Sequence, residues 1–319
     1  MGGEVSPSSI GMKSGEMIGT LPKPTKEGFS FEGWFTEDDV EITSESIFES
    51  DCEIFAHWIS SEEYFVASIG STQYHTLAAA ISAVPNNTQT TINLLRNASE
   101  VVTVPANKNI ILNGNNYTLS NIDNTATNIP VINNAGTLTI ISGTIKTESL
   151  TTAALNNTGT LYVTGGNVQS IGQRQAIYNN GGTLEISGTA YLSATTPVRA
   201  TVQNLANEQT KKPGVVIIKG GTIVSHNYSA VYNAAGSITI GIKDSIIDTN
   251  SPILQGAIYA IDVDSEKTTV FNFYDGTLKG VEDCINGLVP ELEIDSQLNV
   301  GEETIDNVIY KTVHLISSN

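Results

Sequence analysis

Five carboxylates punctuate the middle of the chain, Glu148, Glu185, Glu208, Asp244 and Asp248, and a denser group, Asp262-Val263-Asp264-Ser265-Glu266, follows them. Two carboxyl groups facing one linkage can share general acid and base work across a glycosidic bond, and a carboxylate cage can hold calcium beside a proton-abstracting base. The five central carboxylates stand at different points of the sequence pattern, so nothing in their spacing gathers them. The 262–266 run lacks the remaining ligands of a calcium loop and reads as a solvated acidic insertion. Arg174 and Arg199 lie in turn-rich segments with no acidic neighbour in sequence. His75, His226 and His314 are isolated, and His57 sits in an Ala-His-Trp triplet beside an aromatic cluster. Cys52 and Cys284 are too far apart for a disulfide framework and have no metal-ligand neighbours. The expectation is therefore no catalytic residue, no cofactor and no metal.

The elements that would position any site emerge from repetition. V-I-N-N-A-G-T-L-T-I-I-S-G-T-I-K, from Val131, is followed by A-L-N-N-T-G-T-L-Y-V-T-G-G-N-V-Q and then I-Y-N-N-G-G-T-L-E-I-S-G-T-A-Y. Self-similarity at about two dozen residues marks stacked units that cannot bury their apolar side alone. Asn133, Asn156, Asn179, Asn204, Asn233 and Asn286 form one column, interrupted at Ala260. Gly136, Gly159, Gly182, Gly214 and Gly236 form a second, and Gly143, Gly166, Gly188, Gly221, Asp244 and Gly276 a third. The intervals in the third run 23, 22, 33, 23 and 32 residues, which places insertions at 207–213 and 262–267.

Between the turns, Leu138/Ile140, Leu161/Val163, Leu184/Ile186, Val216/Ile218, Ile238/Ile240 and Phe271/Phe273 alternate with Thr139, Tyr162, Glu185, Ile217, Thr239 and Asn272. Period-two alternation of β-branched residues, punctuated by glycine, is a strand signal. Ile145, Val168, Ala190, Ile223, Ile246 and Leu278 supply another inward column. The pattern predicts three strands per rung and six to seven repeat-bearing rungs in a right-handed parallel β-helix. Leu77, Ala80, Ile81 and Val84, at helical spacing before Pro85, predict a helix at about 72–85 that caps the open end, with Thr91–Leu95 as the first strand. The asparagine column reads as structural, because inward amides can bond to backbone and to one another along the stack. If those asparagines face inward, the residues before them face out: Ile132, Leu155, Tyr178, Gln203, Tyr232, Tyr259 and Ile285. Tyr178, Tyr232 and Tyr259 are the candidate binding residues of that exterior row. The rungs resemble the pectin-lyase-like superfamily, in particular adhesin-type repeats of bacterial surface proteins. That superfamily also contains polysaccharide lyases and hydrolases, but their N-T-D and G-H-G signatures are absent here, and the one D-D, Asp38-Asp39, lies outside the rungs.

Residues 1–60 are different. Gly19-Thr-Leu-Pro-Lys-Pro, Gly28-Phe-Ser-Phe-Glu-Gly-Trp-Phe and the closing Ile54-Phe-Ala-His-Trp predict a small β module with a compact core of Phe29, Phe31, Trp34, Phe35, Phe55 and Trp58. These residues resemble the Listeria–Bacteroides repeat, the B-repeat of internalin-type proteins, with Phe29 at the usual tyrosine. The resemblance implies a β-grasp-like spacer of exported bacterial proteins. The strand that opens that family's module has no counterpart here, which suggests a trimmed start. The predicted organisation is thus a β module at 1–60 and a β-helix at 61–319.

The net charge of −18 argues against a nucleic-acid partner. Residues 1–60 and 261–319 each hold 12 acidic and 3 basic residues, while 130–260 holds 5 and 7. No apolar run reaches the length of a membrane span, and Met1 opens no signal peptide. The expected whole is a fragment of a bacterial cell-surface protein without its leader and anchor. It would be non-catalytic and adhesin-like, serving as a stalk or as a binding domain for a glycan or protein; the alternative is a carbohydrate-active lyase or hydrolase.

Overall fold

A computed structural model describes residues 3–60, 65–121, 129–243, 251–292 and 296–317. The chain divides into two compact units, Met1–Phe65 and Val66–Asn319.

In the first unit Phe29–Phe35 is the centre of a three-stranded antiparallel sheet, flanked by Glu41–Ile42 and Phe55–Ser60. A bulge between Phe31 and Gly33 shifts the pairing and lets Phe31 meet both Trp34 and Trp58 edge-on, with ring centres 5.4 and 5.8 Å apart. The Trp34 indole donates to the Pro22 carbonyl at 3.0 Å. The predicted aromatic core is only half realised. Ile42 is buried, but the aromatics keep part of their surface and Phe29 is 40% exposed, with the Lys26 ammonium 3.9 Å above its ring. A sheet this small has no second layer to cover both sides.

The second unit is a parallel β-helix. Each full rung has three faces, which we number in chain order. In one rung these are Leu155–Asn157, Thr160–Val163 and Asn167–Ser170. Face one stacks into an 8-stranded parallel sheet. Face two runs in register through Thr137, Thr160, Thr183, Val215 and Ser237, and face three through Thr144, Asn167, Tyr191, Thr222, Ile253 and Thr277. Leu138/Ile140 and their five equivalents point inward as the alternation predicts and join one continuous apolar core.

The ends are closed differently. At the start, Leu77–Ala83 is helical, Thr76 caps it through its hydroxyl, and Leu77, Ala80 and Ile81 are buried in the core. The Glu100 carboxylate accepts from the Leu77 and Ala78 amides at 3.0 and 3.2 Å, so the cap is tied to the first rung by the amides a helix leaves free. At the far end Ser296–Ile305 and Val308–Ser317 form an antiparallel hairpin whose second strand pairs antiparallel with Thr277–Gly280. An ion pair of 2.7 Å from Lys279 to Glu303 fastens it.

Four expectations change. The stack has more rungs than predicted, because Val102–Val104 and Asn109–Asn121 form an additional rung below residue 131, and Gln89–Leu94 and Ala98–Ser99 belong to the rung before it, stacked on the two halves of Asn109–Asn121. The asparagine column is Asn134, Asn157, Asn179, Asn204 and Asn233; Asn133 and Asn156 point outward, and Asn286 pairs with Asp262 while Val263 and Gly287 continue the column. The corner between faces one and two gains a residue at Gly181, which takes φ +72°, and this slips the earlier doublets by one. At the third corner Ala190 holds the position assigned to Gly188, so Leu192 and Leu254 are the inward residues where Ala190 and Ile246 were expected. Asp244, Asp248 and Ile246 lie outside the described residues.

Candidate functional site

Face one carries a row in which polar and aromatic side chains point outward in register across many rungs. Its outward positions are Asn133, Asn156, Tyr178, Gln203, Tyr232, Asp262 and Asn286. Strand alternation sets this: Ile177, Val202, Val231 and Ile261 on one side and Asn179, Asn204, Asn233 and Val263 on the other are buried, so the residue between them must face out. Ile132 and Leu155, expected in the exterior row, are therefore core residues at 1% and 0% exposure, and Ile285 aligns with the inward Ile261.

Tyr178 and Tyr232 stand where the sequence placed them, two rungs apart, with Gln203 between. Gln203 points outward yet is only 7% exposed. Tyr259 is corrected. The strand Tyr259–Val263 is longer than its predecessor, and Asp262, not Tyr259, lies in register with Tyr232. Tyr259 instead occupies the corner leading into face one and donates its hydroxyl to Glu282 at 3.0 Å.

Two features escaped the sequence reading. Tyr228 lies three residues ahead of Val231, and Arg199 and Arg174 lie three ahead of Val202 and Ile177; these three strand residues are in register. Arg174, Arg199 and Tyr228 therefore stack on consecutive rungs beside the row. Side chains bind each corner loop to the one before it: Arg174 Nε donates to the Thr151 carbonyl at 2.8 Å, the Thr196 hydroxyl to Gln173 at 3.1 Å, and Asn227 to Thr195 at 2.5 Å.

The electrostatics divide the row. Burial, and then Glu208, hold the Tyr178 phenol above its ordinary value, while Arg174 and Arg199 pull it down. Tyr232 is raised by burial first and then by Asp262 and Asp264, with Lys267 opposing. Tyr259 is raised chiefly by its hydrogen bond to Glu282. Asp264 is spent locally. It accepts from the Glu266 and Lys267 amides and from the Lys267 ammonium, and these contacts, the Glu266 amide foremost, lower its pKa.

The remaining carboxylates are dispersed. Glu148 pairs with Lys146 at 2.9 Å, and Glu185 pairs with Lys219 at 2.8 Å on face two. Glu208 is on the loop after Leu205. Among the described residues no three His, Cys, Asp or Glu side chains are grouped to hold a metal ion. Both cysteines are free. Cys284 is buried and donates to the Lys311 and Leu278 carbonyls at 3.1 and 3.4 Å, and burial pushes its thiol up to about 11. At pH 8 it is therefore protonated as well as hidden, and the thiolate is the reacting species. A thiol reagent at pH 8 is expected to label one equivalent, the exposed Cys52, quickly, and the second only on unfolding. Fast labelling of two equivalents in the native protein would contradict this.

Residues 1–57 match the model of the Listeria-Bacteroides repeat domain, a repeat that associates the chain with bacterial surface proteins. No curated protein and no solved structure matches the chain.

Proposed function

We propose that the chain is a non-catalytic part of a bacterial surface protein, adhesin-like, whose β-helix binds an extended extracellular glycan along face one. The observation that carries this is the outward row, where Tyr178 and Tyr232 alternate with amide and carboxylate side chains rung after rung. A row at ~4.8 Å per rung offers a regular series of contacts along the stack axis. Tyrosines give it amphipathic rings that stay partly exposed at no cost to the core, and Asn133 and Asn286 provide amides able both to donate to and accept from hydroxyl groups. The match of residues 1–57 supports a surface setting. Glu148 and Glu185 each satisfy a lysine on separate parts of the stack, which favours binding over acid/base chemistry.

The test replaces Tyr178 and Tyr232 together with serine and measures glycan-array and host-cell binding. We expect a loss of binding of at least tenfold with an unchanged far-UV spectrum. Unchanged glycan binding by the double variant would overturn the assignment to face one. Binding to host cells that survives enzymatic removal of their glycans would point to a protein ligand instead.

A further inference from the structure

The row beside Tyr178 and Tyr232 is not uniform in charge along the axis. Its lower part carries Arg174 and Arg199, stacked on adjacent rungs ~4.8 Å apart by the register of Ile177 with Val202. Arg174 is pinned through Nε to the Thr151 carbonyl, which leaves the rest of its guanidinium donors free. The next rung up is uncharged and aromatic, with Tyr228 in the arginine position and Tyr232 in the row. The two rungs above it are acidic. Asp262 holds the row position and accepts from Asn286 at 2.9 Å, while Glu282 accepts from Tyr259 at 3.0 Å. Each carboxylate keeps acceptor sites that these single bonds do not fill.

Glu208, exposed on the insertion that follows face one of the Arg199 rung, acts on Tyr178 against Arg174 and Arg199, so one carboxylate faces two guanidinium groups and this end keeps a net positive charge. Lys267 is engaged by Asp264 at 3.2 Å. Two guanidinium groups on adjacent rungs repel, and an anion that reaches both relieves that repulsion and accepts from their donors. The acidic end acts likewise on an ammonium group. From the Arg199 rung to the Asp262 rung is two steps, and from the Arg174 rung to the Glu282 rung four, so the charged centres are spaced by ~10 to ~19 Å along the stack. That exceeds the screening length of ~8 Å at physiological salt, so each end selects its own group.

We infer that face one takes a linear zwitterionic polysaccharide in one orientation, its carboxylate or other anionic substituents against Arg174 and Arg199 and its free amino substituents against Asp262 and Glu282. This rests on the glycan-binding reading above and adds the class of glycan and the direction in which it lies.

The test uses the 319-residue chain and three forms of one polymer, followed by calorimetry at 0.15 M salt. The first is a soluble linear polysaccharide of alternating uronic acid and N-acetylated amino sugar. The second is its partly N-deacetylated form, which carries both charges, and the third is the carboxyl-reduced derivative of the second. We expect the zwitterionic form to bind at least tenfold more tightly than either of the others. Replacing Arg174 and Arg199 with Gln should erase its advantage over the carboxyl-reduced form only. Replacing Asp262 with Asn and Glu282 with Gln should erase its advantage over the N-acetylated form only. Comparing the three polymers on the unaltered protein needs no variant to fold. Equal binding of all three would overturn the zwitterionic inference while leaving the glycan reading in place, and binding of none would overturn both. A preference that survives in both variants would remove these four residues from the site.

Discussion

Asn204→Ala is expected to destabilise the β-helix by about 2–4 kcal/mol. The side chain is fully buried and is an interior member of an amide chain. Its Oδ1 accepts from Asn179 at 2.7 Å, and its Nδ2 donates to Asn233 at 2.6 Å and lies 3.2 Å from the Gly214 and Ala235 carbonyls. Truncation leaves a donor on Asn179 and an acceptor on Asn233 without partners where water does not reach, and each orphan costs about 1–3 kcal/mol. The outward Asn156 bonds to Asn133 at 2.6 Å, but on the solvent side, so Asn156→Ala should cost under about 1 kcal/mol. Urea unfolding followed by circular dichroism measures both. Equal losses would mean that the inner ladder has no special energetic standing.

The second large effect is expected at a corner. Gly166 has φ +73°, and a methyl group there would lie 2.6 Å from the Gly143 carbonyl oxygen and 2.8 Å from the Ser142 carbonyl carbon on the rung below. Gly70 also has a positive φ, +56°, but nothing lies within 4 Å of the position its methyl would take. Gly70→Ala should therefore show the left-handed backbone penalty alone, about 1–2 kcal/mol. Gly166→Ala adds a collision between rungs, worth about 1–3 kcal/mol more. The same unfolding experiment reads the difference, and coincident midpoints would refute the collision.

What the sequence revealed depended on which face is considered. Face two was legible strand by strand, because Leu138/Ile140 and their equivalents alternate with polar residues between glycines. Shifting any of them by one would turn the whole strand inside out. Face one was legible in kind but not in register. Asn133-Asn134 and Asn156-Asn157 each offer two equal placements, and the extra residue at Gly181 that decides between them leaves no mark in composition. The exterior row was displaced for the same reason, and Tyr259 was misplaced because Asp262 sits three residues further along a longer strand. The arginine pair was missed because the corner loops before face one differ in length. Only counting back from the paired strands aligns Arg174 with Arg199 and Tyr228. The rung at 102–121 was passed over because its corner, Asn113-Gly114-Asn115-Asn116, lacks the doublet and glycine spacing of the later rungs, although Gly114 packs directly against Gly143.

The inner amides all point the same way. Asn134 donates to Asn157, Asn157 to Asn179, Asn179 to Asn204 and Asn204 to Asn233, and Asn233 ends the series on the Thr268 hydroxyl at 2.8 Å. The second donor of each of the first four reaches a face-two carbonyl of the following rung, Thr160, Thr183, Val215 or Ser237. A chain of identical head-to-tail links can be lengthened anywhere along its run without a mismatch, since a copied rung receives from its predecessor what it passes to its successor. Its two termini are not interchangeable, because the first offers only an acceptor and the last is closed by a threonine. Tandem duplication of an interior rung is therefore a conservative route by which such a stack changes length, whereas inverting a rung, or joining two stacks end to start, would break the series at the junction.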